Sequence, residues 1–220
     1  NLFGIDPELL WVTCHLTDQE AADIWRDEVG VHPDRIQFLD ADNWWGPPGG
    51  PPGPCGPCSE IYVDKGAAYG PEGGPASGSD ERFLEIWNLV FMQFARDTDG
   101  HDTELPKKNI DTGAGLERIL GVLQGVDSVF ETDVLAPLVE TAQRVTNTRL
   151  GAGERSDISL RILAEHARTM SFLVSDGVFP SNEGRGYVLR RIIRRAVREA
   201  YLLDVADLVT PTLVDTTVEV

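Results

Sequence analysis

Apolar positions along the chain fall into short runs near the amino terminus and longer periodic stretches towards the carboxyl terminus. Residues 9–13 (LLWVT) and 35–39 (RIQFL) read as short strands. Between them, Thr17 and Glu20 have the three-residue spacing of a capping box, which predicts a helix to about Val29 that Gly30 stops. Residues 60–63 (EIYV) alternate polar and apolar, as a half-buried strand does, and 83–94 (FLEIWNLVFMQF) form a long aromatic-rich run, read as a central strand. Residues 65–80 and 96–107 are polar or Gly/Pro-rich and predict loops, and 110–115 predict a turn into a helix over 116–124. Helical patterns follow over about 132–146, 156–175 and 183–203, with Gly151 to Arg155 as a linker. The expected organisation is an α+β body over 1–150 and an all-helical module over 151–220.

Composition supports a folded chain. Of 220 residues 41% are hydrophobic, and no apolar run approaches the ~20 residues of a membrane span. The net charge of −17 argues at first against a nucleic-acid partner. Its distribution changes that inference. Between Arg161 and Arg198 there are eight Arg and three acids, a local +5, whereas the rest carries 11 basic and 33 acidic residues, or −22. Such a split fits either a polyanion-binding module on an acidic body or a solvated acidic surface beside one Arg-rich helix. Three cysteines and no leader-like start point to a reducing, cytoplasmic setting, and the start at Asn1 in mid-domain-like sequence suggests a fragment.

Three segments carry candidate chemistry. Cys55-Gly56-Pro57-Cys58 has the spacing of a redox pair or half a zinc site, but no second such pair and no H-x3–5-H accompany it. A Gly/Pro-shaped loop with incidental thiols is the simpler reading. In Asp111-Thr112-Gly113-Ala114-Gly115-Leu116-Glu117-Arg118, two glycines at a helix start let a ligand approach the backbone. There Asp111 can hold an ammonium and Arg118 a phosphate, or the segment is a capping turn beside an ordinary ion pair. Over 184–198, Arg190, Arg194 and Arg198 recur every four residues with Arg191 and Arg195 adjoining, against an apolar side of Val188, Leu189, Ile192, Ile193 and Val197. That face suits a nucleic-acid backbone, or it pairs with the acidic body.

Four segments together suggest a family: DNWW (42–45) followed by GPCGPCSEI (53–61), EIWNLVFMQF (85–94), DTGAGLERI (111–119), and DG (176–177) through PSNEGRGY (180–187) with the Arg-rich helix. In order and spacing they closely resemble alanyl-tRNA synthetases over essentially the whole chain. The resemblance implies a class II synthetase fold, with an antiparallel sheet flanked by helices and then a helical tRNA-recognition domain. It implies ATP- and Mg2+-dependent activation of L-alanine to the adenylate, and transfer to the 3′ end of tRNA(Ala). By resemblance Trp45, Asn88, Val90, Asp111 and Gly113 form the amino-acid pocket, and Gly113, Gly115 and Arg118 contact ATP. Asn182, Arg185, Arg190, Arg191, Arg194, Arg195 and Arg198 face the tRNA acceptor stem. No side chain is expected to form a covalent intermediate, no zinc is expected, and any homodimer contact is expected outside this chain.

Three departures accompany the resemblance. Nothing matches family motifs 1 and 2, residues 46–52 are a Pro/Gly-rich insertion beside the pocket, and the editing domain with its metal ligands is not present. A complete active site is therefore not expected of these residues alone. The alternative is a synthetase-like paralogue or fragment that binds RNA or an amino acid without charging tRNA.

Overall fold

The computed structural model describes residues 2–47, 50 and 52–220, and the chain forms two compact units, Asn1–Leu123 and Gln124–Val220. Residues 48, 49 and 51 of the insertion lie outside the described residues.

The first unit is a six-stranded mixed sheet: β1 (Leu10–His15), β2 (Ile36–Leu39), β3 (Trp44–Trp45), β4 (Gly53–Asp64), β5 (Phe83–Arg96) and β6 (Asp102–Ala114). The order is β2-β1-β4-β5-β6, with β3 paired to β4. All pairings are antiparallel except β1 with β2, so the expected antiparallel sheet is mixed. The parallel pair exists because helix α1 (Gln19–Ile24) crosses over between those strands. Asp18, not Thr17, caps α1, accepting from the Ala21 N–H at 3.1 Å, while Thr17 Oγ1 bonds His15 Nδ1 at 2.8 Å. The helix passes through a π turn (Trp25–Val29) and ends at Gly30, whose φ of 84° is the left-handed stop.

Residues 102–114, split in the expectation between a loop over 96–107 and a turn over 110–115, are one long strand, and only the hairpin over 97–101 stays a loop. β6 pairs with β5 from Trp87↔Ala114 to Arg96↔Asp102 around a tight hairpin. It carries no apolar alternation because it is an exposed edge, so its polar side chains face water on both sides. Strand β4 likewise begins at Gly53, although residues 46–57 read from their Gly and Pro content as a loop. Gly56 is required there: a Cβ would collide with the Phe91 carbonyl of β5. Val12, Cys14, Ala21 and Ala22 form a small core under α1, and Val63, Ile86 and Ile119 form another with helix α2 (Leu116–Gln124).

The second unit is helical: α3 (Ala136–Thr146), α4 (Glu154–Ser175), α5 (Gly184–Leu202) and α6 (Thr210–Glu219). Its core joins Ala142 of α3, Leu160, Leu163 and Ala167 of α4, Leu189, Ala196 and Ala200 of α5, and Leu213 of α6. Because α3 packs into this core, the units part between Leu123 and Gln124, earlier than the break near residue 150 expected from composition. The buried stripe of α5 also differs from the expected one. Gly186, Leu189, Ala196 and Ala200 are buried, while Val188 and Val197 are 56% and 50% exposed. Ala196 and Ala200 pack into the core shared with α4, and Gly186 passes the Phe179 carbonyl where a Cβ would collide, so the close-packed stripe is not the most hydrophobic one. Among the described residues no helix is long and apolar enough to cross a membrane.

Candidate functional site

Strand register assembles the first site. Asn88 pairs with Glu60 on one side and Gly113 on the other, and Val90 likewise lies between Cys58 and Asp111. Directly paired residues project from the same face of a sheet, so Glu60, Asn88 and Gly113 make one row and Cys58, Val90 and Asp111 the next. Thr13 of β1 extends the first row by pairing with Glu60. Apolar Val12 and Cys14, neighbours of Thr13, point to the opposite face, where α1 packs. Trp45 pairs with Gly56, two residues from Cys58.

Glu60 is the unusual member. It is 7% exposed and accepts two hydrogen bonds, from Asn88 Nδ2 at 3.0 Å and from Tyr62 Oη at 2.5 Å. Burial pushes its carboxyl up to about 7; nearby Glu85 and Asp42 add to this, and the Tyr62 bond and Arg118 oppose it. Burial and the bond to Glu60 also drive the Tyr62 phenol upward, so it remains a donor. Arg118 Nη1 reaches from α2 to the Glu85 carbonyl at 2.9 Å and its carboxylate at 2.8 Å. Asp42, Glu60, Tyr62, Asp80, Glu85 and Arg118 line a cavity of about 470 Å³. Four carboxylates and one guanidinium favour a ligand that brings its own positive charge or metal.

Of the residues expected at the small-molecule site, Arg118 lines this cavity and Asn88 joins it through Glu60. Val90 is buried and Asn88 half-buried, whereas Asp111 and Gly113 are exposed on β6, with Asp111 Oδ1 accepting from the Thr112 N–H at 2.8 Å. A Cβ at Gly113 would meet open space, and one at Gly115 would press on the Arg118 side chain at 3.1 Å. Trp45, Val90, Asp111, Gly113 and Gly115 do not line the cavity. Glu60, Tyr62 and Glu85 were not singled out in the sequence because alternation in 60–63 suggests that the polar side faces water. Glu60, only 7% exposed, shows that it does not.

The C-x-x-C pair lies within β4 rather than at a helix start, and Cys14, Cys55 and Cys58 are free and buried. Burial raises all three thiols, Cys58 to about 11, which leaves little thiolate for redox exchange or metal binding.

In the helical unit, Arg185, Arg190, Arg191, Arg194, Arg195 and Arg198 are all exposed on α5. Five of them, Arg190, Arg191, Arg194, Arg195 and Arg198, line a groove of about 770 Å³ with His166 of α4. Arg185 and Asn182 are not in its lining, but Arg190 Nη1 donates to Asn182 Oδ1. His166 was not singled out as a site residue in the sequence; it is 8% exposed and burial lowers its pKa. Beneath the groove helix, buried Glu199 accepts from Arg155 and Ser159, each at 2.8 Å.

The sequence matches the family model of class II tRNA synthetases (A) over residues 1–220. The chain belongs to that family. Among curated relatives it is 53% identical to an alanine–tRNA ligase of Nocardia farcinica and 56% identical to one of Thermobifida fusca, each over 91% of the chain and 23% of the relative. It is 51% identical to one of Streptomyces avermitilis over 97% of the chain and 24% of the relative. This class II synthetase chain thus spans about a quarter of the length of the relatives it matches.

Proposed function

We propose that the chain is the part of an alanine–tRNA ligase that holds amino acid and ATP and docks the tRNA acceptor stem. The full-length protein joins L-alanine to ATP, presented with Mg2+ as a substrate complex, and passes the alanyl group to the 3′ end of tRNA(Ala). In this reading residues 1–150, the sheet unit together with α3 of the helical unit, are the later part of a class II catalytic domain, and 151–220 begin a helical tRNA-recognition domain. Asp111 pairs with the alanine ammonium, Trp45, Asn88, Val90 and Gly113 bound a small pocket, and Gly113, Gly115 and Arg118 contact ATP. Asn182, Arg185 and the α5 arginines meet the acceptor stem. The protein works in the cytoplasm, no zinc is assigned to these residues, and a homodimer would form through parts outside this chain.

The observation that supports this reading most is the register of β4, β5 and β6. It aligns Asn88, Gly113, Val90 and Asp111 on one face, one strand from a cavity that contains Arg118. The chemistry fits such a site. Adenylate formation needs positioned substrates and charge stabilisation at phosphate, with no covalent enzyme intermediate. Alanine-dependent ATP–pyrophosphate exchange by the full-length protein tests the assignment. We expect exchange in the wild type and a drop of about 100-fold in kcat/KM for alanine in Asp111→Asn, because a charge-assisted bond to the ammonium is lost. No exchange in the wild type would favour a non-charging paralogue, and an unchanged Asp111→Asn variant would reject that residue's role.

A further inference from the structure

Asn88 presents an asymmetric carboxamide. Its Nδ2 donates to Glu60 Oε1 at 3.0 Å, and its Oδ1 is buried with no hydrogen-bond partner among the described residues. An ionised carboxylate can only accept, so Glu60 dictates which end of the amide faces it. The second carboxylate oxygen is occupied by Tyr62 Oη, which holds the Glu60 side chain in place. A buried acceptor left unpaired is costly, and a donor supplied by a ligand relieves that cost.

We propose that Glu60 is a positioning residue of the amino-acid pocket: by accepting from Asn88 Nδ2 it turns Asn88 Oδ1 away from itself, as an acceptor for the N–H groups of the substrate ammonium. The inference rests on the ligase reading for the identity of that substrate. Asn88 lies between Glu60 and Gly113, one row from Asp111, so a cation held at Asp111 approaches the same face.

The arrangement makes pocket geometry depend on pH. Glu60 is surrounded by Tyr62 and Cys58 of β4, Glu85 of β5, Asp42 of the 3-10 turn before β3, and Arg118 of α2, while β1 brings the uncharged Thr13. With its carboxyl near 7, a fraction is protonated at neutral pH. A protonated Glu60 can donate to Asn88 Oδ1, which flips the amide and withdraws the acceptor. Substrate binding then favours the ionised form and releases a proton.

The test follows KM for alanine in the full-length protein between pH 6 and 8, by ATP–pyrophosphate exchange. Wild-type KM should rise several-fold as pH falls through about 7, with kcat changing less. Glu60→Gln keeps one acceptor and cannot ionise, so its KM should be independent of pH, whereas Glu60→Ala should raise KM about tenfold at pH 8. Tyr62→Phe removes a bond that favours the ionised form, so it should move the midpoint upward. A KM step that persists in Glu60→Gln, or a midpoint that Tyr62→Phe leaves in place, overturns the proposal. A second readout separates this inference from the ligase reading. In the wild type the Asn88 side-chain amide resonances should titrate near 7, and in Glu60→Gln they should not. If exchange is absent but the amide titrates as described, the ligase reading fails and Glu60 still positions Asn88; an amide that does not titrate in the wild type overturns the proposal whatever the activity.

Discussion

The two units differ in where they keep their charges. Up to Leu123 the sequence holds eight basic and 22 acidic residues, a net −14; from Gln124 it holds 11 and 14, a net −3. The sheet unit takes ionisable groups inside: Glu60 beside Tyr62, and Asp64 bonded to Arg82 with side chains 16% and 8% exposed. The helical unit buries leucine and alanine, keeps its arginines on the surface, and admits one carboxylate, Glu199. Buried polar groups hold a small-molecule pocket in one geometry because each orients the next. Exposed arginines present their charge to solvent, where a large polyanion can meet it. The overall charge of the chain therefore says little about its partners, because each unit presents a different surface.

That contrast can be broken first at the buried pair. Arg82 donates to both Asp64 oxygens, at 2.7 and 3.0 Å, and to the Gly70 carbonyl at 2.9 Å. The Arg82 guanidinium holds the Asp64 carboxyl below its ordinary value of 3.8. Its contribution to stability is therefore fully present above that value and is lost as pH falls through the lower folded one. Arg82→Ala leaves the half-buried Asp64 carboxylate and the Gly70 carbonyl without their partner, and should be the larger of the two losses of stability. Amide hydrogen exchange resolved by unit should show faster opening of β4 and β5 and little change in α4 and α5.

A smaller effect is expected at Glu199. Its buried carboxylate holds buried Ser159, but its arginine partners Arg155 and Arg198 are 59% and 67% exposed and add little. Glu199→Ala should lower the stability of the helical unit by about 2 kcal/mol. In the same exchange experiment the loss should be confined to α4 and α5. A loss shared equally by both units would contradict their separate packing.

Much of this was legible in the sequence, and the failures have physical causes. Strands that are near-continuous apolar runs, such as β1 and β5, and helices with a wide apolar stripe, such as α4, announce themselves in the sequence. Strand β6 does not, because an exposed edge places polar residues on both faces and only pairing with β5 makes it a strand. Helix α6 is rich in threonine and valine, weak helix formers, and is held by Leu213 in a core shared with α3 and α4. The exposed members of the site, Asp111, Arg118 and the α5 arginines, stood out as motifs. Glu60 did not, since whether a strand glutamate faces water or a neighbouring asparagine depends on the register between β4 and β5.

The proposed division between a sheet unit that activates alanine and a helical unit that docks RNA is tested most directly by measuring two reactions on one variant. Arg190→Ala with Arg194→Ala removes two groove arginines and leaves the sheet unit untouched. Assayed in the full-length protein, it should retain alanine-dependent ATP–pyrophosphate exchange within about twofold. Charging of tRNA(Ala) should fall, with the slope of log K against log salt reduced by about 1–2. Loss of exchange in parallel with charging, or charging with an unchanged salt slope, would contradict the account.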